Sequence, residues 1–190
     1  MADLKYFDGS NWVSLTPTLP PDTAAGGGET CGRLTPVSGN PIGDGTSSKI
    51  YFSPYMGEEI PLYDGTEWKY THFEELSASL PLTPSATHGT LYDVYISIVE
   101  GQSQPKLFLV AWNPITDTTG GTLLDPQSRA TPLTTLNGIY VSSTDSTKRF
   151  LGTIKVNGTE GTTSSIPNRR LIWNMSRRIS VYVSDERAYL

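Results

Sequence analysis

Pro61-Leu62-Tyr63-Asp64-Gly65-Thr66-Glu67-Trp68 reads as a strand end, a turn and the start of a returning strand. Near the N-terminus, Lys5-Tyr6-Phe7-Asp8-Gly9-Ser10-Asn11-Trp12 repeats the phrase. In both, an aromatic strand end meets Asp-Gly, then one or two polar residues, then Trp. Asp-Gly between apolar runs is a strong hairpin signal, because a type I′ turn needs positive φ at both central residues. Two tight hairpins are therefore predicted. Two copies are too few for a solenoid.

Working outward, turn signals recur at short intervals. Thr134-Thr135-Leu136-Asn137-Gly138-Ile139-Tyr140-Val141 predicts a third hairpin, of the Asn-Gly kind. Lys49–Tyr55 reads as a strand ending at Pro54. In Leu91–Ile98, residues Tyr92, Val94, Ile96 and Ile98 share one face, with Asp93 and Ser97 opposite. Lys106–Trp112 is apolar on both faces and predicts a central strand. Further strands are expected at Arg149–Val156, Arg170–Met175 and Ile179–Val183. One short helix is expected over His72–Leu80, where Phe73, Leu76 and Leu80 fall at helical spacing before Pro81 and Pro84. Residues 113–130 read as a polar loop. The predicted fold is all-β, an antiparallel β-sandwich, jelly-roll-like, with one short helix. A parallel α/β fold would need helices between its strands.

The chain has 190 residues, enough for one domain with a real core. Residues 16–32 are rich in Thr, Pro and Gly and read as a linker. The expected division is an extended N-terminal attachment arm with its linker, 1–32, and a β-sandwich body, 33–190. Only 17% of residues are charged and 36% are hydrophobic, with 18 glycines and 14 prolines, which suits short strands and many turns. The net charge of −5 argues against nucleic acid as a partner. The basic pairs Lys148-Arg149, Arg169-Arg170 and Arg177-Arg178 flank strand-like runs, where edge protection or a subunit contact is the plainer reading. No apolar stretch reaches membrane-spanning length, and Met1–Lys5 has no apolar signal core, so no membrane partner is expected.

No catalytic motif stands out. The two histidines, His72 and His88, have no ligand-spaced partners, and no metal or other cofactor is expected. No Ser sits in a nucleophile elbow, and no phosphate loop is present. Glu58-Glu59 and Glu74-Glu75 are adjacent in sequence rather than placed across a cleft. Asp117 and Asp125 lack the spacing of a calcium loop. Cys31 is alone and reads as a spectator thiol. Among the aromatics, Trp112 and Trp173 are expected in the core. Trp12 and Trp68 sit just past turns, so Trp68 with Tyr63 forms a candidate surface contact for protein or carbohydrate.

As a set, several phrases resemble structural proteins of tailed bacteriophages and prophages. They are Lys49–Gly57 running into Leu62–Trp68, then Arg129–Val141, then Arg149–Ile154 followed by Arg170–Asn174. The likeness covers about residues 33–178. Tyr6–Trp12 is similar to openings of phage fibre proteins, where the arm attaches the protein to the particle. The resemblance implies a non-enzymatic virion protein, made in the host cytoplasm, whose partners are other virion proteins of tail or capsid. A tail fibre or tail adaptor is the first expectation. A capsid decoration or head-fibre protein, or a module binding a host surface glycan, are the alternatives. Similar chains often continue beyond the Trp-Asn segment, whereas this sequence stops at Leu190, which favours attachment over direct receptor binding. Tyr6, Phe7 and Trp12 are the expected docking residues of the arm. Arg177, Arg178, Val181 and Val183 are the expected subunit interface, by β-augmentation in a homo-oligomer, a trimer foremost.

Overall fold

The computed structural model describes residues 5–7, 12–14, 30–82, 89–116, 122–157 and 160–175. Within them the fold is all-β and antiparallel, and no helix occurs. The first hairpin is β1 (Lys5–Phe7) and β2 (Trp12–Ser14). Then come β3 (Gly32–Thr35), β4 (Gly45–Ser47) and β5 (Lys49–Pro54). The repeated phrase forms β6 (Glu59–Tyr63) and β7 (Trp68–His72). They are followed by β8 (Leu76–Ser79), β9 (Thr90–Ser97) and β10 (Lys106–Ala111). Next are β11 (Asn113–Thr116), β12 (Thr122–Ser128), β13 (Leu133–Leu136) and β14 (Ile139–Ser142). The last are β15 (Arg149–Val156), β16 (Thr163–Ile166), β17 (Arg169–Arg170) and β18 (Ile172–Asn174).

The largest sheet has the order β10-β9-β15-β14-β13, with β18 also paired to β15. A second sheet, β3-β5-β8, shares its core. Leu34, Ile50 and Phe52 from the second sheet and Ile60 and Leu62 from β6 meet Tyr92, Val94, Ile96, Leu151 and Ile154 from the first. All ten are buried, so neither sheet covers its apolar face alone.

The strands flanking the two Asp-Gly phrases pair alike. Phe7 pairs with Trp12 and Tyr63 with Trp68, so each closes a loop of four residues in the same register. This corrects the expected type I′ turn at Asp64-Gly65. Only Gly65 takes positive φ (104°), and the Asp64 carboxylate closes the wider loop by accepting bonds from Thr66 N, Thr66 Oγ1 and Glu67 N at 2.7–2.9 Å. The two-residue hairpin occurs instead at Asn137-Gly138, whose φ values are 51° and 80° between paired Leu136 and Ile139.

Four other expectations are corrected. The helix over His72–Leu80 is absent. His72 ends β7, and Leu76–Ser79 pairs with β5 in a period of two, Leu76 and Ala78 inward and Ser77 and Ser79 exposed. Phe73 reaches the core to stack on Phe52 at 4.9 Å, so its helical spacing to Leu76 and Leu80 was coincidental. Residues 113–130 are not plain loop but hold the β11–β12 hairpin. β10 is an edge strand, while β9 and β15 are the strands buried on both faces, Asp93 and Ser97 included. The body also begins before Arg33. Gly32 opens β3, and the Cys31 carbonyl accepts Tyr55 N and Met56 N at 2.7 and 3.0 Å.

Candidate functional site

Two charged hollows open on the body. The first is an acidic shelf of about 390 Å3, lined by Glu58, His72, Glu74, Glu75 and Ser53. The structure thus gathers carboxylates from both acidic pairs, which sequence spacing did not bring together. Their geometry points to structure rather than to acid–base chemistry. Glu75 accepts from Ser38 Oγ at 2.5 Å, Gly39 N at 2.6 Å and Ser53 Oγ at 2.5 Å, and so pins the 38–39 turn onto β5. Burial pushes its pKa up, and these three donors outweigh burial, holding the carboxyl below its usual value. Glu58 and His72 stand 4.0 Å apart with both side chains exposed. Among the described residues no group of His, Cys, Asp and Glu is placed to hold a metal.

The second hollow is a cleft of about 460 Å3 on the β15–β18 side, lined by Arg33, Arg129, Arg170, Phe150, Thr153 and Trp173 among others. Its floor comes from β9 and β15. Asp93 is 2% exposed, opposite Thr153 in register. Thr153 Oγ1 donates to Asp93 Oδ1 at 2.7 Å, and Arg129 Nε donates to Asp93 Oδ2 at 2.9 Å. A carboxylate in mid-sheet is tolerable only with such charged and hydroxyl donors. Arg129 then lies over the Trp112 ring at 4.7 Å and Phe150 at 5.6 Å. Burial, followed by the nearby Asp93 charge, pushes the Tyr95 phenol up to about 12.

The wall comes from β18. Gly152 makes the close approach possible: a Cβ there would meet the Trp173 carbonyl oxygen at 2.2 Å. A register shift between Phe150 and Gly152 re-aims the side chains at that point. Asn174 imitates a strand partner for β3, accepting from Leu34 N at 2.7 Å and donating to Leu34 O at 3.1 Å. Trp173, expected in the core, is instead 48% exposed at the cleft. It pairs with Thr153 and lines the cleft beside Arg129 and Phe150.

Arg170 comes from β17 and bonds both Asp44 and Ser165, the latter at 2.8 Å. Arg33 projects from β3. Its pKa is lowered first by burial and further by the Arg170 charge, against an opposing effect of Tyr55. A fourth arginine, Arg149, is 2% exposed beneath the main sheet and donates to the Pro61 carbonyl at 2.7 Å. Burial pushes it down to about 10.

Tyr63 and Trp68 pack on each other, ring centroids 5.5 Å apart, and both are half-buried; the exposed aromatic of that hairpin is Tyr70. Tyr6, Phe7 and Trp12 are described as paired backbone in β1–β2. Arg177, Arg178, Val181 and Val183 lie outside the described residues, as do Asp117 and His88. Sequence reading missed Asp93 and Arg129 as a pair. The one available signal was an aspartate inside an otherwise apolar strand. The sequence matches no family model, and neither the curated proteins nor the solved structures give a significant match.

Proposed function

We propose that this chain is a non-enzymatic structural protein of a bacteriophage particle, a tail fibre or tail adaptor component. Its N-terminal hairpin docks on another virion protein, and its body projects or assembles as a homotrimer. In this reading the two sheets that share the main core are the halves of a β-sandwich of jelly-roll-like type. One observation carries the docking role. β1–β2 has the register of β6–β7 and, like it, is a two-stranded sheet, but β6 puts Ile60 and Leu62 in the main core whereas, among the described residues, β1 and β2 contact chiefly each other. A lone two-stranded hairpin is marginal in water and gains stability when a partner covers it. The Thr, Pro and Gly-rich composition between Leu15 and Thr30 suits a tether. The shared phrases with phage structural proteins support the same reading.

Removing residues 1–29 tests it. The truncated body is expected to melt cooperatively at the full-length temperature while losing incorporation into particles. Normal incorporation of the truncated chain would overturn the docking role.

A further inference from the structure

Three arginines line the β15–β18 cleft, and none of them is a spare charge. Arg129 is paired with Asp93 and Arg170 with Asp44, and Arg33 is engaged as well. What the cleft leaves uncommitted is an aromatic face and a set of N–H donors. Trp173 is 48% exposed there. Among the described residues Arg129 spends Nε and Nη2 on Asp93 and Thr153, and Arg170 spends Nη1 on Asp44 and Ser165. A guanidinium carries five N–H groups, so both arginines keep donors for a further acceptor. We propose that this cleft binds an uncharged saccharide, one pyranose ring laid against Trp173 and its hydroxyls accepting from Arg129 and Arg170. The cleft volume, about 460 Å3, lies within the usual range for small-ligand sites.

Other ligand classes fit less well. An acid would have to draw arginines away from carboxylates that they already hold. A wholly apolar ligand would strip water from two ion pairs and return no hydrogen bond. A sugar hydroxyl replaces that water and leaves both ion pairs intact. The same pairs fix the donors before the ligand arrives. Asp93 and the Trp112 ring, 4.7 Å away, hold Arg129, and Asp44 and Ser165 hold Arg170. The apolar face of the Trp173 indole suits the C–H face of a pyranose. The Tyr63–Trp68 pair offers no such face, because its rings pack on each other and are half-buried. A peptide strand is disfavoured too. The Asn174 side chain already occupies the backbone N–H and C=O of Leu34, so β3 offers no edge there for an added strand.

The saccharide assignment rests on the cleft and not on the particle reading, so the two fail separately. The test is calorimetric titration of the full chain. The probes are cellotetraose, maltotetraose, the N-acetylglucosamine tetramer, a galacturonate tetrasaccharide and adenosine. At least one uncharged sugar is expected to bind, and which one does identifies the sugar. Raising salt from about 0.05 M to about 0.5 M is expected to leave its affinity unchanged, because the ligand carries no charge to screen. Trp173→Ala is expected to weaken binding about tenfold, with Trp173→Phe restoring most of it. Should a variant fail to fold, the wild-type chain decides: bound sugar must shift the Trp173 indole resonance. Tighter binding of the galacturonate sugar, binding of adenosine alone, an affinity that falls with salt, a shift at other tryptophans only, or no binding at all would overturn the proposal.

Discussion

The two Asp-Gly hairpins share a phrase and a register and differ in the residues that this register carries. β6–β7 presents Ile60 and Leu62, both 0% exposed, to the main core. By register, the positions of the first hairpin that match Ile60 and Leu62 carry Leu4 and Tyr6. In β6 the aliphatic residue is flanked by Pro61, whose carbonyl receives the buried Arg149. The same register therefore forms around different residues, and in the proposed reading the first copy is the one that a partner covers.

The sharpest way to break the comparison is to truncate the residue that the shared register places alike in each, Leu62 and Tyr6. Leu62→Ala is expected to destabilise the body by about 3 kcal/mol, because a fully buried leucine leaves a cavity. Tyr6→Ala is expected to leave the body's stability unchanged in the same urea titration. Equal losses would mean that the first hairpin is part of the body's cooperative unit, against the docking role.

A smaller effect separates the two turn types. Asn137 holds φ at 51° in the two-residue turn, a conformation costly for side chains other than Asn, Asp and Gly. Asn137→Ala should cost about 1 kcal/mol, and Asn137→Gly much less. At the four-residue loop the same logic predicts tolerance, since Asp64 itself does not take positive φ. A loss there as large as at Asn137 would show that the two turns are held alike.

The smallest effect concerns acid. Asp64 is held well below the ordinary carboxylate value by Lys69 first, then by Glu67 N and Thr66. A depressed carboxyl stabilises the fold above its unfolded pKa, near 3.8, and that contribution is lost as pH falls below it towards the folded value. Because the group is exposed, the slope is expected to be slight. Comparing Asp64→Ala with the parent chain by thermal melting at pH 7 and pH 3 should show a difference that shrinks at the lower pH. A difference that grows would contradict the loop's dependence on the ionised carboxylate.

Much of the fold was legible because its signals are local. Asn137-Gly138 specifies positive φ by itself, and Tyr92, Val94 and Ile96 alternate without reference to anything else. The false helix at His72–Leu80 shows the limit. Phe73, Leu76 and Leu80 satisfy a period of 3.6 by number, while the Ser77 and Ser79 alternation follows from pairing with β5, which no local window contains. β10 looked central because its residues are apolar, yet its partners lie on one side only.

The sequence by itself determined the all-β class and the positions of the hairpins marked by Asp-Gly and Asn-Gly. Those features follow from φ preferences and from alternation within a few residues. Only the tertiary structure decided that Asp93 and Arg129 would pair, that Trp173 would face solvent, and that Arg33, Arg129 and Arg170 would line one cleft. Those groups come from separate strands and loops, far apart in the chain. Their meeting depends on strand order and on the register shift in β15, which long-range burial selects.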